Sequence, residues 1–185
     1  MTISKDIPEN HRHCYVGIDN HGAGLAAAKI SAAICRKGGR VLVLEPSEEA
    51  EAQSSRFLAF IQYIKALGKS ADLIFFRDTD HIQDPVKAFF NKLLAHHDIQ
   101  VLYGPFNNDL VERIIILGRT KAAIRDIAKI LHDLSANSAQ NLQDGLIDII
   151  FDSNPAKEVF QATLFIAREH GFETAFKQWP VNFQL

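Results

Sequence analysis

The stretch RVLVLEP, residues 40–46, is almost uninterruptedly apolar. A strand of that composition has to be covered on both faces, which is the situation of a strand inside a parallel sheet. Similar short apolar runs recur along the chain: CYVGID (14–19), ADLIFFRD (71–78), IQVLYGP (99–105) and LIDIIFD (146–152). Longer segments with helical punctuation separate them. AGLAAAKISAAICRKGG is rich in Ala and stops at Gly38-Gly39, a usual helix end. In SEEAEAQSSRFLAFIQYIKALGKS, the residues Phe57, Phe60, Ile61, Ile64 and Leu67 recur at steps of three and four and form one apolar stripe. DPVKAFFNKLLAHHD offers Asp84 as N-cap and Pro85 at the first helical position. NPAKEVFQATLFIAREHG is bounded by Asn154-Pro155 and Gly171. This alternation predicts an α/β fold: three layers, doubly wound, with a mainly parallel, Rossmann-like sheet and a C-terminal strand–helix extension.

One region resists this reading. RIIILG, within residues 107–118, reads equally as a strand or as a loop leading to a helix from Thr120 to about Leu134. SANSAQNLQDG reads as a polar connector, and FETAFKQWPVNFQL as a last short strand anchored by Trp179. Residues 1–13 are polar and aperiodic, so a tail followed by one α/β domain over 14–185 is expected.

Composition excludes some partners. The net charge of -2 and the absence of a Lys/Arg block leave no electrostatic footprint for nucleic acid. No apolar run reaches the roughly 18 residues of a membrane helix. The two cysteines, Cys14 and Cys35, fall in apolar segments, as buried thiols of a reducing compartment do. With no apolar leader at the N-terminus, a cytoplasmic protein is expected.

In such a sheet ligands bind beyond the carboxyl ends of the strands. Those ends carry Asp19 to Gly24, then Glu45, then Asp78 to His81, and Gly104 to Asn108; Gly118-Arg119-Thr120 is a fifth candidate turn. NHGAGLAAA followed by RKGGRVLVLEP resembles the opening of flavin- and nicotinamide-dependent oxidoreductases. That resemblance implies Gly22 and Gly24 against the pyrophosphate of FAD or NAD, and Glu45 on a ribose hydroxyl. Aligned on AGLAAA instead, two of the glycine positions become Asp19 and His21, whose side chains would crowd a pyrophosphate, and Asp19 would repel it.

Residues 13–134 as a whole resemble the universal stress protein family. The carriers are YVGID, with Asp ending the first strand, then ADLIFFRDTDHIQDPVKAFFNKLLAHHDIQVLYGP, and then RIIILGRTKAAIRDIA. The resemblance implies a dimeric, cytoplasmic, stress-response regulatory or binding protein. ATP or AMP would sit at Asp19, Val43, Gly104, Asn107 and Gly118 to Thr120. In the phosphate loop, Asn107 stands at a glycine position and Arg119 intervenes before Thr120.

Each candidate also has a plain structural reading. Asp19 reads as ligand contact or as helix N-cap. Gly22 and Gly24 read as ligand cradle or as close packing. Asp78, Asp80, His81 and Asp84 meet no metal-site spacing, and neither do His96 and His97. Arg113, Arg119 and Arg125 read as a basic patch or as a solvated helix face. No nucleophile–base pair or paired acid and base is legible, which favours a binding protein over an enzyme. A scaffold acting through a protein surface is the third alternative.

Overall fold

A computed structural model of the protein describes residues 1–3, 14–35, 39–46, 51–68, 72–78 and 82–172. The chain divides into two compact units, Met1–Asn20 with Ser153–Leu185, and His21–Asp152.

The larger unit holds a five-stranded, fully parallel sheet in the order β4-β3-β5-β6-β7. Its strands are β3 (Arg40–Leu44), β4 (Asp72–Phe76), β5 (Ile99–Gly104), β6 (Ala128–His132) and β7 (Ile149–Phe151). Between them run α2 (Glu51–Ala66), α3 (Pro85–Leu94), α4 (Asp109–Gly118), α5 (Ala122–Arg125) and α6 (Ala136–Gln143), and α1 (Asn20–Ile34) precedes β3. Successive side chains of a strand point to opposite faces, and the core follows that period. Leu42, Leu44, Leu102 and Leu131 pack with Phe89 and Val86 of α3 and with Val111, Ile114 and Ile115 of α4. Val41, Val43, Val101, Tyr103 and Ile130 pack on the other face with Ala27 and Ala28 of α1 and Phe60, Ile61 and Ile64 of α2. This is a three-layer α/β sandwich, the fold class that the alternation of RVLVLEP-like runs and helices predicts.

The smaller unit pairs β1 (Thr2–Ile3) with β2 (Tyr15–Val16) in parallel, and α7 (Pro155–Glu169) lies against both strands. The Asn20 side chain donates to the Tyr15 hydroxyl at 3.3 Å. Of the expected polar tail, Thr2 and Ile3 are strand, and residues 4–13 lie outside the described residues. So do the expected last strand and Trp179.

Local chemistry accounts for the helix boundaries. Asp84 accepts from Lys87 N at 3.0 Å ahead of Pro85. Asn154 caps α7 from a left-handed conformation, with φ of 53°. Residues 107–134 fold otherwise than expected. RIIILG belongs to α4, because the Asn108 side chain accepts from Val111 N at 3.0 Å and Asp109 and Glu112 occupy the first turn. Val111, Ile114, Ile115 and Gly118 then fall on one buried helical face. The helix expected over 120–134 is cut short after Arg125, and AKILH forms β6, buried between β5 and β7. The polar connector is α6, whose Ser135 and Ser138 form a reciprocal capping box.

Candidate functional site

From β3 the chain crosses to β4 on one side and returns to β5 on the other, so the strand order reverses between β3 and β5. The crevice beyond the carboxyl ends at such a reversal is where open α/β sheets bind ligands. Here it is organised by Arg56, which α2 delivers from behind β3. Arg56 is 5% exposed. Its Nη1 donates to Pro105 O at 3.1 Å, just past β5, and lies 2.9 and 3.0 Å from the two carboxylate oxygens of Asp133, just past β6. A guanidinium so nearly buried has to be paired, and the Asp133 carboxylate and the Pro105 carbonyl are among its partners here.

Asp133 adopts a φ of 66°, a left-handed conformation that a residue with a side chain adopts at a cost. Its N–H donates to Phe151 O at 2.9 Å, which ties the turn after β6 to the end of β7. Below it, His132 is fully buried, stacked on Phe151 at 4.9 Å and 3.3 Å from the Tyr103 hydroxyl through Nε2. Among the described residues its Nδ1 has no hydrogen-bond partner. Burial, and secondarily the Arg56 charge, lower the His132 pKa from 6.5 to about 3. Burial pushes the Tyr103 phenol up, and its ring stacks on Phe60 at 3.8 Å.

Asn107 and Glu112 form the next wall. Ser135 Oγ and Asn137 Nδ2 donate to the Glu112 carboxylate at 3.1 and 2.8 Å, and Asn107 Nδ2 reaches it at 3.4 Å. Asn107 Oδ1 is buried and has no partner among the described residues. Asp152, after β7, is exposed, and Glu45 after β3 is held by Arg77 Nε at 2.6 Å. The edge therefore presents fixed hydrogen-bonding groups, with Asp133 and Glu45 neutralised by arginines, and, among the described residues, two buried polar atoms still to be satisfied. That suits a neutral polar ligand.

The family of periplasmic binding protein domains matches residues 1–174. The chain belongs to that family. The fold of this binding-protein domain is shared with solved sugar-binding proteins. A solute-binding protein of an ABC transporter from Burkholderia graminis, in complex with D-arabinose, is 17% identical over 97% of this chain and 63% of its own, with a TM-score of 0.74. A glucose-galactose binding protein from Geobacillus stearothermophilus is 18% identical over 98% of this chain and 65% of its own, with a TM-score of 0.74. The fructose-binding periplasmic domain of a hybrid two-component system is 16% identical over 100% of this chain and 61% of its own, with a TM-score of 0.73. The binding-protein domain thus spans less than two thirds of these chains. No curated protein matches it.

Membership overturns several expectations. The chain is not of the universal stress family but of a family of domains that bind small molecules, which replaces the stress-regulatory, nucleotide-binding expectation. The family is periplasmic, which replaces the cytoplasmic expectation. ATP, AMP, FAD and NAD fall with the families that implied them, and the geometry gives the reason. No glycine loop runs from Gly104 to Gly118, because Asp109–Gly118 is helix and a Cβ at Gly104 would meet Leu131 Cδ2 at 2.8 Å. A Cβ at Gly24 would come within 2.2 Å of Arg56 O, so α2 fills the space a pyrophosphate would need.

The sequence candidates are dispersed. Gly104, Asn107 and Glu45 lie at the carboxyl edge, and Val43 is buried inside the sheet. Gly118, Arg119 and Thr120 lie at the far end of α4, where Thr120 Oγ1 donates to Leu117 O. Asp19 is exposed ahead of α1, and Gly22 lies in its first turn. Arg56, Asp133, Tyr103 and His132 escaped the sequence reading. Arg56 sits among serines and looks like a solvated helix residue, and Asp133 fell within the expected 120–134 helix. One signal was present: AKILHD is an apolar run closed by Asp, like GID and FRD.

Proposed function

We propose that this domain recognises a monosaccharide at the carboxyl edge of the five-stranded sheet, with Arg56 and Asp133 making the central hydrogen bonds and Asn107 and Asp152 flanking them. The observation that carries the reading is the nearly buried Arg56 clamped by Asp133 and Pro105 O beside the strand-order reversal. A fixed carboxylate beside a fixed guanidinium offers acceptors and donors to adjacent hydroxyls of one sugar ring. Neutralising each other, the two demand no charge from the ligand. The unsatisfied Asn107 Oδ1 is a further acceptor for a hydroxyl. The names of the similar structures, which bind arabinose, glucose and galactose, and fructose, support this class.

The test is a thermal-shift series with D-arabinose, D-glucose, D-galactose and D-fructose, with ATP and NAD as comparisons. A ligand that binds only the folded state raises the melting temperature. At least one sugar should do so, with the shift abolished in Asp133→Asn. Nucleotide shifts without sugar shifts, or a sugar shift that survives Asp133→Asn unchanged, would overturn the reading.

A further inference from the structure

At the opposite, amino edge of the same sheet lies a pocket of about 210 Å³. Ile115 of α4, Ile124 of α5 and Leu146 ahead of β7 supply apolar lining, and Arg119, Arg125 and Lys129 supply three cations. We propose that this pocket binds a small organic carboxylate with a branched or aromatic body.

The chain as a whole carries a net charge of -2, yet three cations converge on one small pocket. Lys129 is matched by Asp148, whose Oδ2 lies 3.3 Å from Nζ. Among the described residues neither Arg119 nor Arg125 has an ion-pair partner.

A basic residue at a helix C-terminus commonly answers the exposed carbonyls there. That account does not cover Arg119, because the last carbonyls of α4 are already engaged. Arg119 N donates to Ile116 O at 3.2 Å, Thr120 Oγ1 to Leu117 O at 3.2 Å, and Lys121 N to Gly118 O at 2.9 Å. Arg119 and Arg125 both line the pocket. Lys129 is already satisfied by Asp148 and by Ile127 O, to which Nζ donates at 2.7 Å, so the two arginines carry the pocket's net positive charge.

Shape narrows the ligand. Pockets for drug-sized molecules run from about 300 Å³ upward, so this one takes something smaller. Gly118 lets Ile124 close the wall, since a Cβ there would stand 2.5 Å from Ile124 Cγ2. The result is apolar lining beside planar, fork-shaped donors. Guanidinium groups match a carboxylate through two parallel hydrogen bonds, and the isoleucines and Leu146 cover a ring or branched chain.

Benzoate, benzamide and acetate titrated into isotopically labelled protein provide the test, read from the methyl resonances of Ile115, Ile124 and Leu146. Benzoate should saturate these shifts. Acetate should bind at least fivefold more weakly and benzamide at least tenfold more weakly. The double variant Arg119→Gln/Arg125→Gln should lose at least tenfold in benzoate affinity while keeping its response to sugar. Both arginines are exposed, and an unchanged melting temperature confirms that the variant folds. If it does not fold, added salt should weaken benzoate on the unaltered protein. No saturation, equal binding of benzamide, or affinity untouched by the variant or by salt would overturn the proposal.

Discussion

Gly24 of α1 lies directly over the backbone of Arg56 in α2, so closely that a Cβ would stand 2.2 Å from the Arg56 carbonyl oxygen and 2.9 Å from its Cα. The glycine of a fingerprint-like turn thus sets the distance between two helices at the residue that organises the carboxyl edge. Gly24→Ala forces backbone apart, which costs about 1–3 kcal/mol. It also shifts Arg56 against Asp133, so under the proposed function sugar affinity should fall with stability. Gly39→Ala is the comparison: its Cβ would meet only the far end of the Gln100 side chain, which can move. Urea unfolding of both variants checks the order, and G24A should lose at least twice as much as G39A.

Asp133 has two separable roles. It neutralises Arg56, and it holds a left-handed backbone. Asn keeps tolerance of positive φ but removes the charge. Asp133→Asn should therefore destabilise by about 2 kcal/mol, less than the roughly 3–5 kcal/mol that breaking a fully buried pair costs, because the Asp133 side chain is 40% exposed. Asp133→Ala should cost a further ~1 kcal/mol from backbone strain, and Asp133→Gly should recover that increment. Denaturation midpoints of the three variants separate charge from conformation.

The layers of this fold were legible because burial dictates composition. RVLVL can only be a doubly covered strand, and Asp84-Pro85 can hardly be anything but a helix start. Residues 107–134 were not legible for an equally physical reason. RIIILG is β-branched and apolar whether it forms a strand or the buried face of a helix, and only Asn108 and the acidic first turn decide for helix. AKILH carries a lysine and a histidine, which dilute its strand signal. Yet Lys129 is buried against Ile127 O and Asp148, and His132 against Tyr103 and Phe151. The site was hidden for the same reason. Arg56 and Asp133 are 77 residues apart, and nothing local marks them as partners.

The deciding weight of Asn108 is itself testable. It satisfies the N–H of Val111 at the start of α4. Asn108→Ala should cost about 1 kcal/mol, and Asn108→Asp should be neutral or slightly stabilising beside the helix N-terminus. Chemical denaturation of both variants checks this. Equal losses in the two would mean that the cap does not hold the helix.

His132 makes stability depend on pH in a direction that can be worked out. Its pKa falls from 6.5 to about 3 on folding, chiefly through burial and secondarily through the Arg56 charge. Above pH 6.5 the imidazole is neutral in both states and contributes no pH dependence. Between pH 6.5 and about 3 the unfolded chain takes up a proton that the folded chain refuses, so the folded state loses stability as pH falls. One such proton corresponds to a slope of about 1.4 kcal/mol per pH unit. His132→Gln removes the titrating group while keeping a polar neighbour for the Tyr103 hydroxyl. Urea unfolding at pH 7, 6, 5 and 4 should show the variant less stable at pH 7 but with a shallower decline towards pH 4, by up to that slope. Parallel declines in the two proteins would mean that His132 takes up its proton equally in both states.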